Sequence, residues 1–425
     1  MLENRRESYI KQIEDQSMSI FFSGHAPLKS ADQFYPFVVN RNFFYLTGIT
    51  QENVCLVLMK GAGKSDAYLF IDKIDPVKAL WDGAGLTFAE AAEKAHVTLE
   101  NVREMSTLDT FIAQMLSTSR RALYGELEAI YLDLERLNEK VPATESIQFA
   151  HHLKALYPQV LIKSNQMIMA EMRTIKDQTE IDEMKKAIAI TKVGLERIMS
   201  ELKVGRYEFQ LEAEFNYVLN LHRTSPSFNT IAAQGKNATV LHYIENDSAI
   251  EPGSLVLFDL GCLSNHYASD ITRTYPANGR FTPRQKEIYE LVLSVNKEAI
   301  KFLKPGMTLK EFNDFGKQKL TEGAKKLGLI KEDDEITRYY YHSLGHYLGL
   351  DVHDVGNYTK PIPEGAIITV EPGLYIAEEG IGIRIEDDIL VKTGGNINLS
   401  KEIIKEVSEI EAYMEAKRSR WLLFL

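Results

Sequence analysis

The chain has 425 residues, more than one hydrophobic core usually serves, so two domains are expected. Its 44% hydrophobic and 26% charged residues are ordinary for a globular protein, and a net charge of −11 without any basic stripe excludes nucleic acid as the main partner. No apolar run reaches membrane-spanning length, and the charged start MLENRRESYIKQIEDQ lacks the apolar core of a signal peptide, so the expected place is the cytoplasm, with no membrane partner.

From about residue 17 to 165, apolar strand-like runs alternate with helical stretches. CLVLMK (55–60) and AYLFID (67–72) read as strands, 87–96 and 144–156 as helices, the pattern of a small α/β domain. Between the two strands, Gly61-Ala62-Gly63-Lys64-Ser65 resembles a phosphate-binding loop. It has Leu58 where that loop needs its first glycine, so the motif is rejected. Cys55 and Cys262 lie in apolar strand-like stretches and are expected to be buried and unpaired.

At RTIKDQTE (173–180) the texture changes. Asp177 and Glu180 have capping-box spacing, and Ile181, Met184, Ile188, Leu195 and Ile198 trace the apolar stripe of a long helix. The domain boundary falls near 160–175, giving one domain over 1–165 and a second over 166–425. Within the second, Leu202-Lys203-Val204-Gly205 is echoed by Leu303-Lys304-Pro305-Gly306, which follows a helix starting at Thr282-Pro283. Each echo precedes another helix (207–222 and 308–327), a histidine and a strand hairpin bearing two carboxylates. That order implies a duplicated half, with a cleft between the halves as the natural site.

The first hairpin comprises LVLFDLG (255–261) and YASDITRTYP (267–276). Symmetry about Ser264–Asn265 makes Asp259 and Asp270 direct cross-strand neighbours. Opposed residues have Cβ atoms about 4.5–5.5 Å apart, where like charges destabilise a sheet. A cation would turn that penalty into a binding site. In IITVEPGLYI (367–376) and GIGIRIEDDILV (380–391), Glu371 and Glu386 are symmetric about Glu378–Glu379. Asp259 and Glu371 end apolar runs of the kind found in buried strands, where a carboxylate is costly unless paired or bound to metal. The competing reading is an exposed acidic turn, or acids satisfied by backbone N–H groups.

With His346 these four acids form an oxygen-rich set, unlike the cysteine cages of structural zinc. Such ligands suit Mn²⁺ first, with Co²⁺ or Zn²⁺ as alternatives. Four negative charges balance two divalent ions. A pair of metals can ionise a bridging water and polarise a carbonyl, so hydrolysis is the expected reaction. His242 in VLHY, and His342 and His353 flanking His346 in YHSLGHYLGLDVHDVG, can donate hydrogen bonds to a substrate carbonyl or an oxyanion.

Together LVLFDLG…YASDITRTYP, HSLGHYLGLDVHDVG, TVEPGLYI and GIRIEDD resemble the Xaa-Pro aminopeptidase and prolidase family of pita-bread metallopeptidases. SADQFYPFVVNRNFFYLTGI (30–49) is similar to the family's N-terminal domain. The resemblance implies an α/β domain followed by a catalytic domain with a pseudo-twofold repeat. It implies that Asp270 and Glu386 bridge two metals, that Asp259 binds one, and that His346 and Glu371 bind the other. Glu371 would also accept the proton of the bridging water. His242 and His353 would steady the substrate and the tetrahedral intermediate, His342 and Tyr375 would line the pocket, and Arg384 would support it. The sequence departs from the family at HSLGH, where Ser343 stands in place of a frequent glycine after the first histidine. Trp81 in ALWDGAGL (79–86) resembles the position from which members offer a tryptophan to a neighbouring subunit, implying a homodimer or larger assembly.

The resemblance thus points to release of the N-terminal residue from peptides with proline in second place. An Xaa-Pro bond is a tertiary amide without an N–H, and metal polarisation of its carbonyl needs none. Prolidase, restricted to Xaa-Pro dipeptides, shares all five ligands and is the alternative. A metal-free relative, whether a creatinase-like hydrolase or a binding module, is disfavoured because all five ligands are present. A methionine aminopeptidase fits the N-terminal domain less well.

Overall fold

The computed structural model of the chain describes residues 1–117 and 122–422, which form two compact units, Met1–Met172 and Arg173–Leu425. The division falls after the 165/166 boundary read from the sequence. Most of the helix Gln166–Thr174 goes with the first unit, where Tyr45 Oη donates to Met172 O (3.2 Å).

The first unit is built on a six-stranded mixed sheet in the order Val102–Glu104, Lys64–Ile71, Val54–Gly61, Ser17–Phe22, Ala129–Leu132, Leu161–Ser164. The central strands Ser17–Phe22 and Val54–Gly61 are almost wholly buried, as their apolar runs demand. Helices Phe88–Ala95 and Glu145–Leu156 start at Thr87 and Thr144, whose side chains accept from backbone N–H groups. The Gly61–Lys64 segment is a tight hairpin with Ala62 and Gly63 both at positive φ, the geometry of a type I′ turn rather than of a phosphate loop.

The second unit opens with the helix Gln178–Glu201. Asp177 and Glu180 cap it reciprocally, Glu180 N to Asp177 Oδ1 and Asp177 N to Glu180 Oε2 (both 3.0 Å). The helix Glu208–Leu221 follows, then antiparallel strands Ile231–Gln234, Leu255–Leu260 and Ile271–Pro276. The second half repeats the order: helices Pro283–Phe302 and Leu309–Lys326, then strands Ile367–Val370, Gly373–Ile376, Ile381–Arg384 and Asp387–Leu390. Apolar residues of both halves share one core, Ile188, Leu195, Phe215 and Phe258 with Ile288, Val292, Leu374 and Ile383. Among the described residues no helix is long and apolar enough to cross a membrane.

The second carboxylate hairpin has the expected register. Val370 pairs with Asp387 and Gly373 with Arg384, so Glu371 and Glu386 fall opposite each other in the gap between two ladders. The first hairpin does not. Asn265 and His266 both take positive φ and form the two-residue turn, so Ser264 pairs with Tyr267 and Asp259 pairs with Thr272. Asp270 is therefore displaced by two residues from the partner position expected from the sequence. It lies in a break between strands Tyr267–Ala268 and Ile271–Pro276. Opposite that break, a Cβ on Gly261 would come within 1.9 Å of Ser269 O, so only glycine permits this approach.

The long helix Gln178–Glu201 rests on Glu208–Leu221 through Gly194, where a Cβ would lie 2.3 Å from the ring of buried Phe215. Helix propensity favours Gly194→Ala by roughly 1 kcal/mol, whereas overpacking costs roughly 1–3 kcal/mol. We expect the clash to win and the urea midpoint to fall. A midpoint raised by the substitution would show that Phe215 moves aside freely.

Candidate metal centre

Asp259, Asp270, His346, Glu371 and Glu386 line one cavity of about 640 Å³ in the second unit, together with His242, His342, His353 and Arg384. Asp270, His346 and Glu386 each present a ligand atom within 4.8 Å of the other two. His346 Nε2 lies 3.4 Å from Asp270 Oδ2 and 3.5 Å from Glu371 Oε1. Its other nitrogen, Nδ1, donates to Tyr347 O (3.0 Å), which aims Nε2 at the acids.

Local backbone pairing sets these positions. The His346 segment is hydrogen-bonded along the strand Ile367–Val370 and its continuation, by Leu348 N to Ile367 O, Thr369 N to His346 O and Glu371 N to Leu344 O. A Cβ at Gly345 would come 1.9 Å from Thr369 O, so a glycine is required there. Ser343, the departure in HSLGH, leaves its carbonyl to accept from His342 Nδ1 (2.7 Å).

Arg384 organises the opposite wall. It donates to Asp259 Oδ2 (2.5 Å), to Thr272 Oγ1 (3.0 Å) and to Tyr375 Oη (2.9 Å), and Thr272 in turn donates to Glu386 Oε2 (2.7 Å). Tyr375 Oη passes its own hydrogen to His342 Nε2 (2.8 Å). His342 is thereby held neutral with its proton on Nδ1, and burial followed by the Arg384 charge lowers its pKa to about 3. His353 sets its ring nearly perpendicular to His346, centroids 4.4 Å apart, and burial lowers its pKa. Its neighbour Asp354 is fixed by buried Arg173 (2.6 Å) and Lys176 (2.8 Å).

Trp81 lies in the first unit, on the short helix Pro76–Asp82, and is 84% exposed beside exposed Val77 and Leu80.

Several residues that serve the centre escape sequence reasoning. Thr272 could have been found, since it lies two residues after Asp270 and is itself the cross-strand partner of Asp259. Asn296 carries no such signal. From inside the helix Pro283–Phe302 its amide donates to Val370 O (2.9 Å) and Ile385 O (3.2 Å), the carbonyls just before Glu371 and Glu386. Behind Glu386, fully buried Arg273 donates to Glu386 O (2.5 Å), Asp387 Oδ1 (2.7 Å) and Ile403 O (3.2 Å).

The donor set suits divalent cations. It is buried and oxygen-rich with a single imidazole, and Asp259 Oδ1 is buried without a hydrogen-bond partner among the described residues. Burial raises the pKa of Asp259 to about 6 and of Glu371 to about 7, and that of Glu386 well above the carboxylate range. Burial alone would lower His346, but the hydrogen bond to Asp270 and the charges of Glu371 and Asp270 raise it to about 9. Without cations, protons take the place of the missing positive charge.

A buried acid-and-imidazole cluster on a duplicated α/β scaffold defines the class, a metal-dependent hydrolase. Residues 182–393 match metallopeptidase family M24, and residues 2–124 match the N-terminal domain of aminopeptidase P. The Xaa-Pro aminopeptidase of Haemophilus influenzae is 35% identical, covering 97% of this chain and 96% of that one. A Bacillus anthracis structure provisionally named aminopeptidase P superposes with TM-score 0.94 at 43% identity, covering 98% of each chain. Aminopeptidase P from Escherichia coli with the inhibitor Pro-Leu gives TM-score 0.88 at 32% identity, again over 98% of each. The chain therefore belongs to the aminopeptidase P family of M24 metallopeptidases, and its catalytic unit has the pita-bread fold.

The raised pKa values carry a sign for stability. Without metal, the folded protein holds protons that the unfolded chain releases, so stability falls as pH rises from roughly 4 through about 7 for Glu371 and on through about 9 for His346. The Tm of chelator-treated protein should fall steadily over that span, and divalent cations should stabilise most at its upper end, where ligands are already deprotonated. Loading at neutral pH should release protons, read as a buffer-dependent heat in calorimetry. A metal-free Tm that rose with pH would contradict the assignment.

Proposed function

We propose that the protein is a metal-dependent Xaa-Pro aminopeptidase of the cytoplasm, hydrolysing the N-terminal Xaa-Pro bond of peptides. The observation that carries this reading is the convergence of the five ligand-type residues with His242, His342 and His353 in one cavity, on a chain similar throughout to Xaa-Pro aminopeptidases. Asp259, Asp270, His346, Glu371 and Glu386 would hold the divalent ions. Mn²⁺ is the preferred metal on the hardness of the donors. When bound, the ions supply Lewis-acid activation of the scissile carbonyl and of water.

The chain's own residues supply the rest. Glu371, buried and inclined to hold a proton near neutral pH, takes up the proton of the attacking water at its carboxylate. His242 and His353 donate to the substrate carbonyl as it gains charge. The Arg384–Tyr375–His342 chain holds the pocket wall in one tautomer and keeps a positive charge beside Asp259. Prolidase remains the alternative, and comparing Xaa-Pro with Xaa-Pro-Yaa-Yaa substrates decides between them.

Glu371→Gln keeps a metal-facing oxygen but cannot take a proton, so turnover should fall about 10²–10⁴-fold with metal content near wild type. Equal losses of metal and turnover would reduce Glu371 to a ligand. Asp270→Ala and Glu386→Ala should abolish activity together with metal binding, and a Glu386→Ala variant with full metal and normal turnover would refute the dimetal assignment.

We also assign Trp81 to a contact with a neighbouring subunit's substrate in a homodimer or larger assembly, supported by its exposure next to Val77 and Leu80. Trp81→Ala should slow hydrolysis of longer peptides while metal content and Tm stay unchanged. An unaltered peptide-length profile would end that assignment.

A further inference from the structure

The segment 234–248 bears three residues of the cavity wall, Leu241, His242 and Ile244, yet beyond the end of strand Ile231–Gln234 it contains only a short 3₁₀ turn, Gly235–Thr239. Such a segment has no ladder to hold it, so its place depends on side chains. One carboxylate gathers it. Glu208, the first residue of the helix Glu208–Leu221 and 0% exposed, accepts from Gln234 N (2.7 Å) and Asn237 Nδ2 (3.1 Å) at Oε1. At Oε2 it accepts from Tyr243 Oη (2.8 Å) and Ser248 N (2.9 Å). All four donors belong to the segment, and none to Glu208's own helix.

The backbone adds reciprocal contacts. The free N–H groups of Glu208 and Phe209 at the helix start donate to Ser248 O (3.0 Å) and Asn246 O (2.7 Å). One turn along, Glu212 accepts from Asn246 Nδ2 (2.9 Å). Tyr243 belongs to the apolar cluster that includes Leu257 and Tyr375 while its hydroxyl reaches Glu208, and burial raises its pKa to about 12, keeping it a donor. With Tyr243 turned inwards, the adjacent His242 and Ile244 face the cavity. An acid in the first helical turn is favoured by the helix dipole even when exposed, but that does not require burial or four outside donors.

We infer that Glu208 is a positioning residue for substrate binding, acting through His242, whose place on the cavity wall it fixes. The inference rests on the reading of His242 as a substrate-binding group. It assigns Glu208 no contact with metal or substrate.

Glu208→Gln tests it, because an amide of the same size must leave at least one of the donors without an acceptor, Ser248 N being the least able to turn away. Misplacing His242 should lower kcat/KM for an Xaa-Pro-Yaa-Yaa peptide by about 10–100-fold, with metal content at the wild-type level. In a His242→Ala background the same change should cost less than about threefold, since the group it acts through is gone. Equal losses in both backgrounds would overturn the inference. Amide hydrogen exchange supplies a readout without catalysis: Glu208→Gln should speed exchange in 235–248 and leave the strand Leu255–Leu260 protected. If Glu208→Gln does not fold, Tyr243→Phe removes a single donor and is read by the same two measurements, where unchanged values in both would overturn it. Wild-type protein that fails to cleave any Xaa-Pro peptide would reject the proposed function, and the exchange experiment would then decide on Glu208 alone.

Discussion

Four carboxylates lining one cavity, Asp270 and Glu386 buried and Asp259 and Glu371 nearly so, repel one another, and each loses hydration there that bulk water would supply. Much of the catalytic unit can be understood as a response to that repulsion. Arg384 is placed against Asp259, a proton or a cation must sit among Asp270, His346, Glu371 and Glu386, and no ladder runs through Glu371, Glu386 or Asp270. A paired strand turns alternate side chains to opposite faces. Breaking the ladder releases three acids from that alternation, so that they can converge.

A broken ladder leaves backbone groups to be satisfied, and buried ones cannot be left to water. The two halves answer this differently. In the second half a single amide, Asn296, takes the carbonyls of Val370 and Ile385, and Lys405 Nζ donates to the oxygen of that same amide (2.7 Å). Glu386 N reaches across to Thr272 O in the first half (3.1 Å), so the halves are joined at a cavity carboxylate rather than beside it. In the first half the break is narrow. Ser269 is held to Cys262 and to Thr191 of the long helix, while Gly261 allows the close approach. The duplication supplies similar frames, and their different repairs produce an asymmetric set of cavity acids from a nearly symmetric scaffold.

This division explains what could be read in the sequence. The carboxylates of the cavity were legible because an acid at the end of an apolar run is physically expensive and therefore stands out, as at Asp259 and Glu371. The helices were legible through caps such as Asp177–Glu180 and Thr282. The register of the first hairpin was not, because it turns on Asn265 and His266 adopting positive φ, and a histidine in that conformation gives no warning in the sequence. Nor were Asn296, Arg273 and Glu208 legible. Each is a polar residue on an otherwise ordinary helix or strand that serves backbone groups far along the chain among its partners, and such groups have no sequence of their own to recognise.

Arg273 reaches beyond the hairpins, to Ile403 O and Ile404 O (both 3.2 Å), and Lys405 pairs with Asp387 beside Glu386. The back wall of the centre is thus made from the last part of the chain to be synthesised among those that touch it. While Lys405 is still inside the ribosome, Asp387 has Arg273 but not its second cation, Asn296 Oδ1 lacks its donor and Arg273 lacks two of its acceptors. The back wall of the cavity can therefore close only after that segment has been made, however early the two hairpins themselves form.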